Sequence, residues 1–317
     1  MVEGDQLKGT LTDGDIRRAL LRGMGLKDPV FHAMNDRPTV ASLGDDRELV
    51  IARMRQAHIR QMPILDSSGA LVGMEILNGL VTPEIRSNAV VLMAGGLGKR
   101  LTPLTNDCPK SMLKIGGRPI LETILETFIA YGFRRFYISV NYKADVIMDY
   151  FRDGSRWQVQ ITYLQENKRL GTAGALSLLP EKPMLPLIVM NGDILTKINF
   201  NHLLDFHNTH KAKATMCVSD YEYQVPFGVI TLNGHQIMQI QEKPTQKFFI
   251  NAGIYALDPD VLDLVPKDDY DDMTTLFERI VGAGWQTSVF PICEYWLDIG
   301  RHSDLDKANG DLECRCK

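Results

Sequence analysis

Short apolar runs of strand length alternate with helix-like segments along most of this chain, starting at Ala89. The predicted strands cover residues 89–93, 136–140, 159–163, 187–190 and 214–219, and the predicted helices lie around 120–131, 145–151, 173–179 and 201–209. Strands that are apolar almost throughout are typical of parallel sheets, because helices cover both faces of such sheets. The alternation therefore predicts an α/β domain with a mainly parallel sheet. Three later segments, 228–232, 237–241 and 253–256, are predicted to be short antiparallel additions.

Charge and the length of the apolar stretches exclude several classes of partner. The 317 residues have a formal net charge of −4, so the chain as a whole does not attract nucleic acid or an anionic membrane. Its strongly apolar stretches, such as residues 184–190, are far shorter than the roughly 20 residues that cross a bilayer. The polar N-terminus lacks a secretory signal, and five cysteines without paired metal spacing indicate reduced thiols. We therefore expect a cytoplasmic protein with no nucleic-acid or membrane partner.

The first 82 residues carry a weak internal repeat, in which residues 5–9 align with residues 69–73. The elements predicted here are a helix that Thr12 or Asp13 can cap, a helix at 49–58, and a hairpin formed by 62–65 and 70–73. They indicate a small α+β module. Pro83 interrupts the pattern, so we place the domain boundary at residues 82–84 and begin the second domain at Asn88.

Three segments of this module, "GTLTDGDIRRAL", "PVFHAMNDRPTV" and "HIRQMPILDSSGALVGMEIL", resemble a cystathionine-β-synthase (CBS) domain pair. The resemblance covers residues 1–82, and the first copy is expected to be truncated because the chain begins almost at that copy's last hairpin strand. In such pairs the Thr and Asp of the strand-to-helix turn often hold a nucleotide, which implies an adenine nucleotide near Thr12 and Asp15. The alternative is a packing or dimerisation module without a ligand, since turn Thr and Asp residues are equally explained as helix caps.

A glycine-rich turn follows the first strand of the second domain. Gly95, Gly96 and Gly98 allow backbone N–H groups to approach a phosphate closely. Arg100 adds a permanent forked positive charge and Lys110 a second, compact one. The spacing is neither that of a dinucleotide-binding fingerprint nor that of a Walker motif.

Two acids complete a candidate site. Asp193 follows the strand at 187–190, where ligands of an open α/β sheet are bound, and Asp298 is the second candidate. Mg²⁺ is commonly held by one or two protein carboxylates, with phosphate oxygens and water in the remaining positions. The sequence therefore predicts a site for polyphosphate and Mg²⁺. Four further acids, Asp268, Asp269, Asp271 and Asp272, are expected to form a solvated loop.

The order of these motifs over residues 88–317 resembles the sugar-1-phosphate nucleotidyltransferase (NDP-sugar pyrophosphorylase) family. The resemblance rests on "LMAGGLGKRLTPLTNDCPKSMLKIGGRPIL", "LGTAGAL", "VMNGDIL", "PFGVI", "QEKP", "NAGIY" and "WLDIGR". It implies a GT-A-like, Rossmann-like fold with a mainly parallel mixed sheet. The implied reaction transfers a nucleotidyl group from NTP to a sugar 1-phosphate and releases pyrophosphate.

The resemblance also implies a role for each motif residue. Gly95, Gly96, Gly98 and Arg100 would hold the NTP phosphates, Lys110 would assist there, and Lys243 would fix the phosphate of the sugar. Asp193 and Asp298 would bind Mg²⁺. Gln165, Glu166, Gly171 and Thr172 would border the nucleobase, and Glu242, Asn251 and Gly253 would address sugar hydroxyls. No Ser, Cys or His is expected to act as a covalent nucleophile.

The "GTAGAL" segment after Glu166 is more similar to guanylyltransferases, so GTP is favoured, with a thymidylyl- or uridylyltransferase acting on a hexose 1-phosphate as the alternative. A GT-A glycosyltransferase is a rival, but it should carry a DxD-like acid pair where Asn191-Gly192-Asp193 has one acid. A nucleotide-sensing module with a degenerate catalytic domain is the second rival. The presence of all the motif residues argues against it. A homo-oligomer is compatible with the sequence, which leaves the oligomeric state open.

Overall fold

The computed structural model describes residues 1–25, 27–57, 59–77 and 85–313. The chain divides into two compact units, Met1–Glu84 and Ile85–Lys317. The boundary expected at residues 82–84 lies outside the described residues. No helix within those residues is both long and apolar enough to span a membrane.

The first unit is small and contains both α-helices and strands. Its strands are β1 (Val2–Glu3), β2 (Gln6–Leu7), β3 (Ala41–Ser42), β4 (Gln61–Leu65) and β5 (Leu71–Ile76), and its helices are α1 (Asp13–Leu21) and α2 (Arg47–Gln56). The predicted hairpin is present as the antiparallel pair β4 and β5. Gln6 and Ala70, which the repeat aligns with each other, form an antiparallel bridge. The two repeat segments therefore meet at equivalent residues.

The second unit contains the remaining elements. Its strands are β6 (Arg86–Met93), β7 (Lys114–Ile115), β8 (Arg118–Pro119), β9 (Phe133–Val140), β10 (Gln160–Gln165), β11 (Leu187–Asn191), β12 (Ile194–Thr196), β13 (Ala214–Gln224), β14 (Val229–Asn233), β15 (Gln236–Gln241), β16 (Thr245–Leu257), β17 (Thr287–Ile292) and β18 (Trp296–Asp298). Its helices are α3 (Ile120–Ala130), α4 (Ala144–Phe151), α5 (Phe200–Thr209), α6 (Met273–Gly282) and α7 (His302–Glu313).

Seven strands form the central sheet in the order β10-β9-β6-β11-β16-β13-β17. The pairs β10-β9, β9-β6, β6-β11 and β13-β17 are parallel, whereas β16 runs antiparallel to both of its neighbours. The prediction of a mixed, mainly parallel sheet is therefore confirmed. Residues 253–256 are antiparallel to their neighbours, as predicted. They are not a short addition, because they lie in a 13-residue strand in the middle of this sheet. Pairing with β11 and β13, which lie far away in sequence, places that strand there.

Alternate residues of the central strands pack on opposite sides of the sheet. Val90 and Leu92 belong to the same buried cluster as Phe128 of α3, whereas Val91 belongs to a cluster that contains Leu276 of α6. This alternation follows from the period of two residues in a strand. Helices therefore cover both faces of the sheet.

Three further elements differ from the sequence-based expectation. The helix expected around 173–179 is a short 3₁₀ turn, Gly174–Leu178, and a Cβ at Gly174 would lie 2.4 Å from the carbonyl oxygen of Asp269. Close packing against this neighbouring backbone fixes the turn. Helix α6 and strand β17 have no counterpart among the predicted elements.

The hairpin of β14 and β15 and the adjoining ends of β13 and β16 carry many exposed apolar side chains. Ile230 and Ile240 lie opposite each other in the hairpin and are 51% and 63% exposed. Tyr221 and Phe248 form a similar exposed pair between β13 and β16. A two-stranded ribbon with such a face is marginally stable by itself.

Candidate active site

The glycine-rich turn leaves the carboxyl end of β6, a strand paired on both sides inside the sheet. Gly98 has φ +61°, and a Cβ there would lie 2.8 Å from Thr105 Cγ2 and 3.1 Å from Lys110 Cβ. A side chain would therefore push away Lys110 and would also strain the backbone. The Thr105 hydroxyl donates to the carbonyl oxygen of Gly98 at 3.0 Å. Gly96 has open space around its Cα. The turn is thus packed closely on the Lys110 side and is open at Gly96.

The two acids singled out in the sequence come together through backbone pairing. Asp193 stands between β11 and β12, and Asp298 is the last residue of β18. Strand β12 pairs antiparallel with β18, with Ile194 opposite Asp298, and the Ile299 N–H donates to the Asp193 carbonyl oxygen at 3.0 Å. Two acids 105 residues apart in the sequence are therefore neighbours at one edge of the sheet.

Lys110 contacts both carboxylates. Its ammonium donates to the Asp193 carboxylate and lies 3.8 Å from Asp298 Oδ1. The guanidinium of Arg100 lies over Gly300, with its atoms 3.6–3.7 Å from the position of a Cβ there. The two cations predicted from the sequence thus flank the two acids.

Asp193 and Asp298 lie close enough for their negative charges to repel each other. Burial raises the pKa of Asp298, and so does the negative charge of Asp193, while Lys110 and Arg100 oppose the shift. Within the described ranges, no group of three or more His, Cys, Asp or Glu side chains forms a metal cluster. A pair of carboxylates that leaves most positions to phosphate oxygens and water suits Mg²⁺. The donor set therefore fits the predicted ion.

A second group of predicted residues lies around the turn that follows β10. The Glu166 carboxylate accepts hydrogen bonds from the Ser139 hydroxyl and from the Leu170 N–H, the latter at 3.1 Å. One of its oxygens lies 2.8 Å from where a Cβ of Gly95 would be. Glu166 therefore joins the nucleobase turn to the glycine-rich turn. Gln165 instead points to an exposed position, where its amide nitrogen lies 3.3 Å from Met148 Sδ.

Gly171 and Thr172 of this turn face the start of α6. Gly171 has φ +78°, and a Cβ there would lie 2.4 Å from the carbonyl oxygen of Asp271. The Thr172 N–H donates to Asp272 Oδ1 at 3.0 Å. These contacts join segments that are about one hundred residues apart.

The residues predicted to address the sugar fall into two places. Asn251 and Gly253 lie on β16, and a Cβ at Gly253 would be 2.7 Å from the side-chain amide of Asn191, two residues before Asp193. Asn251 donates to the Tyr255 hydroxyl at 2.8 Å, and burial raises the pKa of Tyr255 to about 12. The structure therefore brings Gly253 next to Asn191, the last residue of the strand before Asp193, and Asn251 accepts from the Gly253 N–H at 2.9 Å.

Glu242 and Lys243 lie in the exposed turn between β15 and β16. The Lys243 carbonyl oxygen accepts from the Gln224 side chain at 3.4 Å. Within residues 85–313, Asp193 and Asp298 form their ion pairs with Lys110 and not with Lys243. The folded chain thus leaves this lysine outside the acidic cluster.

The expectation of a solvated acidic loop is wrong for two of its four members. Asp271 is only 3% exposed, and its carboxylate pairs with Arg279. Asp272 is bound to Thr172, as described above. Asp268 and Asp269 are exposed. A signal for the difference is present in the sequence, because an acid directly before an amphipathic segment such as 273–282 is typical of a helix start.

In the first unit, Thr12 and Asp15 form a capping box at the start of α1. The Thr12 hydroxyl donates to Asp15 Oδ2 at 2.6 Å, and Arg18 donates to Asp15 Oδ1 at 2.5 Å. Both side chains therefore stabilise the helix start. A ligand at this turn stays a prediction.

Residues 89–315 match the family described as Nucleotidyl transferase, and the chain belongs to this family. Mannose-1-phosphate guanylyltransferase 1 of Arabidopsis thaliana is 30% identical over 226 residues, which cover 68% of this chain and 62% of that protein. A UTP-glucose-1-phosphate uridylyltransferase of Synechocystis sp. is 31% identical over 238 residues, which cover 69% of this chain and 61% of that protein. This chain thus spans a little over three fifths of the length of the curated relatives it matches.

A solved structure shows the same fold. HddC from Yersinia pseudotuberculosis aligns with a TM-score of 0.57 and 26% identity, and the alignment covers 71% of this chain and 99% of HddC. The expected α/β nucleotidyltransferase fold is therefore confirmed for the second unit.

Proposed function

We propose that this chain transfers a nucleotidyl group from NTP, with GTP favoured, to a sugar 1-phosphate and releases pyrophosphate. The observation that carries this proposal is the meeting of Asp193, Asp298 and Lys110 beside the glycine-rich turn, with Arg100 over Gly300. Family membership supports the same reaction class. Guanine as the nucleobase and the sugar 1-phosphate as the acceptor are also part of what we propose.

In this reaction an oxygen of the sugar phosphate forms a bond to the α-phosphorus while the bond from that phosphorus to the β-phosphate oxygen breaks. The electron pair leaves with pyrophosphate, so no covalent intermediate on the protein is needed. The main obstacle is repulsion between anions. Backbone N–H groups of Gly95, Gly96 and Gly98 would hold the phosphates, and Arg100 and Lys110 would neutralise the charge that moves to the leaving group.

Asp193 and Asp298 would hold Mg²⁺. When bound, the ion supplies positive charge to the triphosphate and lowers the repulsion that the incoming phosphate meets. Lys110 keeps both carboxylates close to the glycine-rich turn, since it contacts Asp193 and lies 3.8 Å from Asp298. Lys243 would fix the phosphate of the sugar, an assignment that rests on the family resemblance.

The nucleobase would lie against Gln165, Glu166, Gly171 and Thr172, and the sugar against Glu242, Asn251 and Gly253. Guanine is favoured by the relative from Arabidopsis thaliana, which is named a guanylyltransferase. The Synechocystis relative, named a uridylyltransferase, supports the alternative of a pyrimidine nucleotide. Both alternatives use the same phosphate site and differ only in the base and sugar pockets.

The decisive experiment is a matrix of the four NTPs and dTTP against sugar 1-phosphates, read by release of pyrophosphate in the presence of Mg²⁺ and after addition of EDTA. We expect one combination to dominate, with GTP as the donor, and activity to require the ion. Release of nucleoside diphosphate from an NDP-sugar, without pyrophosphate chemistry, would instead indicate a glycosyltransferase. Absence of turnover with every pair would refute the proposal and leave a binding module.

Asp193→Asn provides the matching prediction for a residue. The substitution removes a charge but hardly any volume, so we expect turnover to fall by at least about a hundredfold while the protein stays folded. Asp205→Asn on the exposed side of α5 makes the same chemical change away from the predicted motif residues and serves as the control. Wild-type activity in the Asp193 variant would exclude its metal role.

For the first unit, we propose a CBS pair that binds an adenine nucleotide near Thr12 and Asp15. The bridge between Gln6 and Ala70 supports two related halves. The test is calorimetric titration of the whole chain with ATP, ADP and AMP. Binding that Asp15→Asn weakens supports the proposal, and no heat change with any of the three refutes it in favour of a packing module.

We also propose that the chain acts in the cytoplasm as a homo-oligomer. The exposed apolar hairpin of β14 and β15 supports self-association, because large exposed apolar faces mark interaction sites. Light scattering on the wild type and on an Ile230→Ser, Ile240→Ser variant tests this. A monomeric wild type would refute the homo-oligomer. The cytoplasmic location is tested separately, by fractionation of cells that express the chain.

A further inference from the structure

The turn proposed to border the nucleobase, residues 170–174, is hydrogen-bonded to a segment that lies one hundred residues later. The Asp271 N–H donates to the Leu170 carbonyl oxygen at 2.9 Å. The Asp271 carbonyl oxygen accepts from the N–H groups of Ala173 and Gly174, at 2.9 and 3.1 Å. The backbone of the turn therefore follows the backbone just before α6.

Asp272 adds the side-chain part of this connection. Its Oδ1 accepts from both the N–H and the hydroxyl of Thr172, at 3.0 and 3.1 Å. Its Oδ2 accepts from the Tyr270 hydroxyl at 2.7 Å. The Thr172 hydroxyl oxygen in turn accepts from the Met273 N–H at 2.9 Å. Thr172 thus donates two hydrogen bonds to Asp272 and accepts one from the next residue, Met273.

Asp272 stands at a helix start, where an Asp side chain usually caps its own helix. Asp272 is the N-cap residue of α6, yet its carboxylate makes no capping hydrogen bond to its own helix. A free N–H of the helix is satisfied by Thr172 instead. The carboxylate that would ordinarily stabilise the helix start is therefore committed to the nucleotide turn.

The charge of Asp272 is retained at neutral pH. Burial acts to raise its pKa, but hydrogen bonds from Thr172 and Tyr270 and the positive charge of Arg169 lower it overall. Hydrogen bonds to an ionised acceptor are about twice as strong as those between neutral groups. A short anionic side chain thus restrains a turn that forms no α-helix or strand.

We propose that Asp272 is a positioning residue for the nucleotide: through Thr172 it holds the turn at residues 170–174 in the conformation that receives the base. It does not touch the reacting phosphates. This inference rests on the proposed function, because it requires that the turn border the nucleobase. It predicts that loss of the carboxylate weakens binding of the NTP while leaving the chemical step and the sugar phosphate unaffected.

The experiment compares steady-state kinetics of the wild type, Asp272→Ala and Asp272→Asn with NTP and sugar 1-phosphate varied separately. For Asp272→Ala we expect KM for NTP to rise by about tenfold or more, as expected for loss of a hydrogen bond to a charged group. We expect kcat and KM for the sugar phosphate to stay within about twofold. Asp272→Asn, which keeps one acceptor oxygen, should raise KM for NTP less than Asp272→Ala does. Asp268→Asn is the matched control, because Asp268 is an exposed acid of the same segment.

A double-mutant cycle with Thr172→Val separates positioning from a general effect on folding. If the two side chains act as one unit, the variant with both changes has a KM for NTP no higher than the worse single variant. Thr172→Ser, which keeps the hydroxyl, should raise KM for NTP less than Thr172→Val does. A merely structural role would lower the amount of active enzyme, and therefore the apparent kcat, without raising KM for NTP.

Two outcomes distinguish the failure of this inference from failure of the proposed function. A wild-type chain that turns over, with an unchanged KM for NTP in Asp272→Ala, overturns the inference alone, as do equal increases in both KM values. A wild-type chain that releases no pyrophosphate with any pair of substrates overturns both.

Discussion

Replacement of Gly171 by Ala should destabilise the second unit more than the same replacement at Gly284, and the structure gives the size of the difference. Both glycines have positive φ, +78° and +74°, which costs an L-residue roughly 1–2 kcal/mol. A Cβ at Gly284 meets nothing within 4 Å, whereas one at Gly171 lies 2.4 Å from the Asp271 carbonyl oxygen. Gly284→Ala therefore isolates the backbone cost.

The additional cost at Gly171 follows from the contacts of that carbonyl. To reach an ordinary van der Waals distance of 3.4 Å, the oxygen must move by 3.4 − 2.4 = 1.0 Å. It accepts hydrogen bonds from Ala173 and Gly174, and each such bond contributes about 1 kcal/mol net. We therefore expect Gly171→Ala to lose about 2 kcal/mol more than Gly284→Ala. For a unit of this size, that corresponds to a melting temperature roughly 4–8 °C lower.

Thermal unfolding of the two variants, followed by circular dichroism with no substrate added, measures this difference directly. Each variant is compared with the wild type at the same protein concentration, so that any effect of self-association is shared. If Gly171→Ala melts at or above the temperature of Gly284→Ala, the close packing of the turn against Asp271 is not a restraint on the fold. The proposal that the segment before α6 positions this turn for the nucleotide would then lose its physical basis as well.

Two further predictions concern the core of the same unit. Burial lowers the pKa of His207 below its ordinary 6.5, so the unfolded chain takes up the proton first as pH falls. The contribution of His207 to the free energy of unfolding should therefore be complete above about pH 6.5 and decline below it. Denaturant unfolding at several pH values should show that His207→Gln flattens this dependence. Phe128 is fully buried and stacks on Phe200 with ring centroids 3.8 Å apart. In urea unfolding, Phe128→Ala should lower the free energy of unfolding by about 3–5 kcal/mol, and Phe249→Ala should lower it far less because Phe249 is half-exposed. Equal losses in the two variants would contradict the packing.

The strands of the parallel half of the sheet could be predicted from the sequence because their signal is local. Residues 89–93 and 187–190 are continuous apolar runs, and both are strands within β6 and β11. Strand β16 could not be predicted in the same way. Its first half, which begins at Thr245, is exposed and mixes polar with apolar residues, so only residues 253–256 stand out. Its place in the centre of the sheet depends on pairing with β11 and β13, for which a local pattern carries no information.

In the candidate site, too, the features with a local sequence signal could be predicted and those that depend on long-range contacts could not. Asp193 could be predicted because it directly follows a buried strand, and the glycine-rich turn because three glycines and Arg100 are close in sequence. The contact between Lys110 and both acids is long-range, since it spans 83 residues to Asp193. Asp271 and Asp272 are expected from the sequence to be solvated, because no predicted strand presents them. The structure instead pairs Asp271 with Arg279 and Asp272 with Thr172, which is one hundred residues from Asp272.

The way in which the two acids are brought together also decides how a substitution there can be interpreted. Asp298 reaches Asp193 through three backbone pairs between β12 and β18 and through the hydrogen bond from Ile299 to the Asp193 carbonyl oxygen. None of these bonds involves a carboxylate, so exchange of either acid for its amide leaves the pairing intact. A loss of turnover in Asp193→Asn therefore reports the missing charge and not a displaced strand. The same argument does not hold for Asp272, because its carboxylate makes the side-chain part of the connection to Thr172. Its test therefore needs the double-mutant cycle.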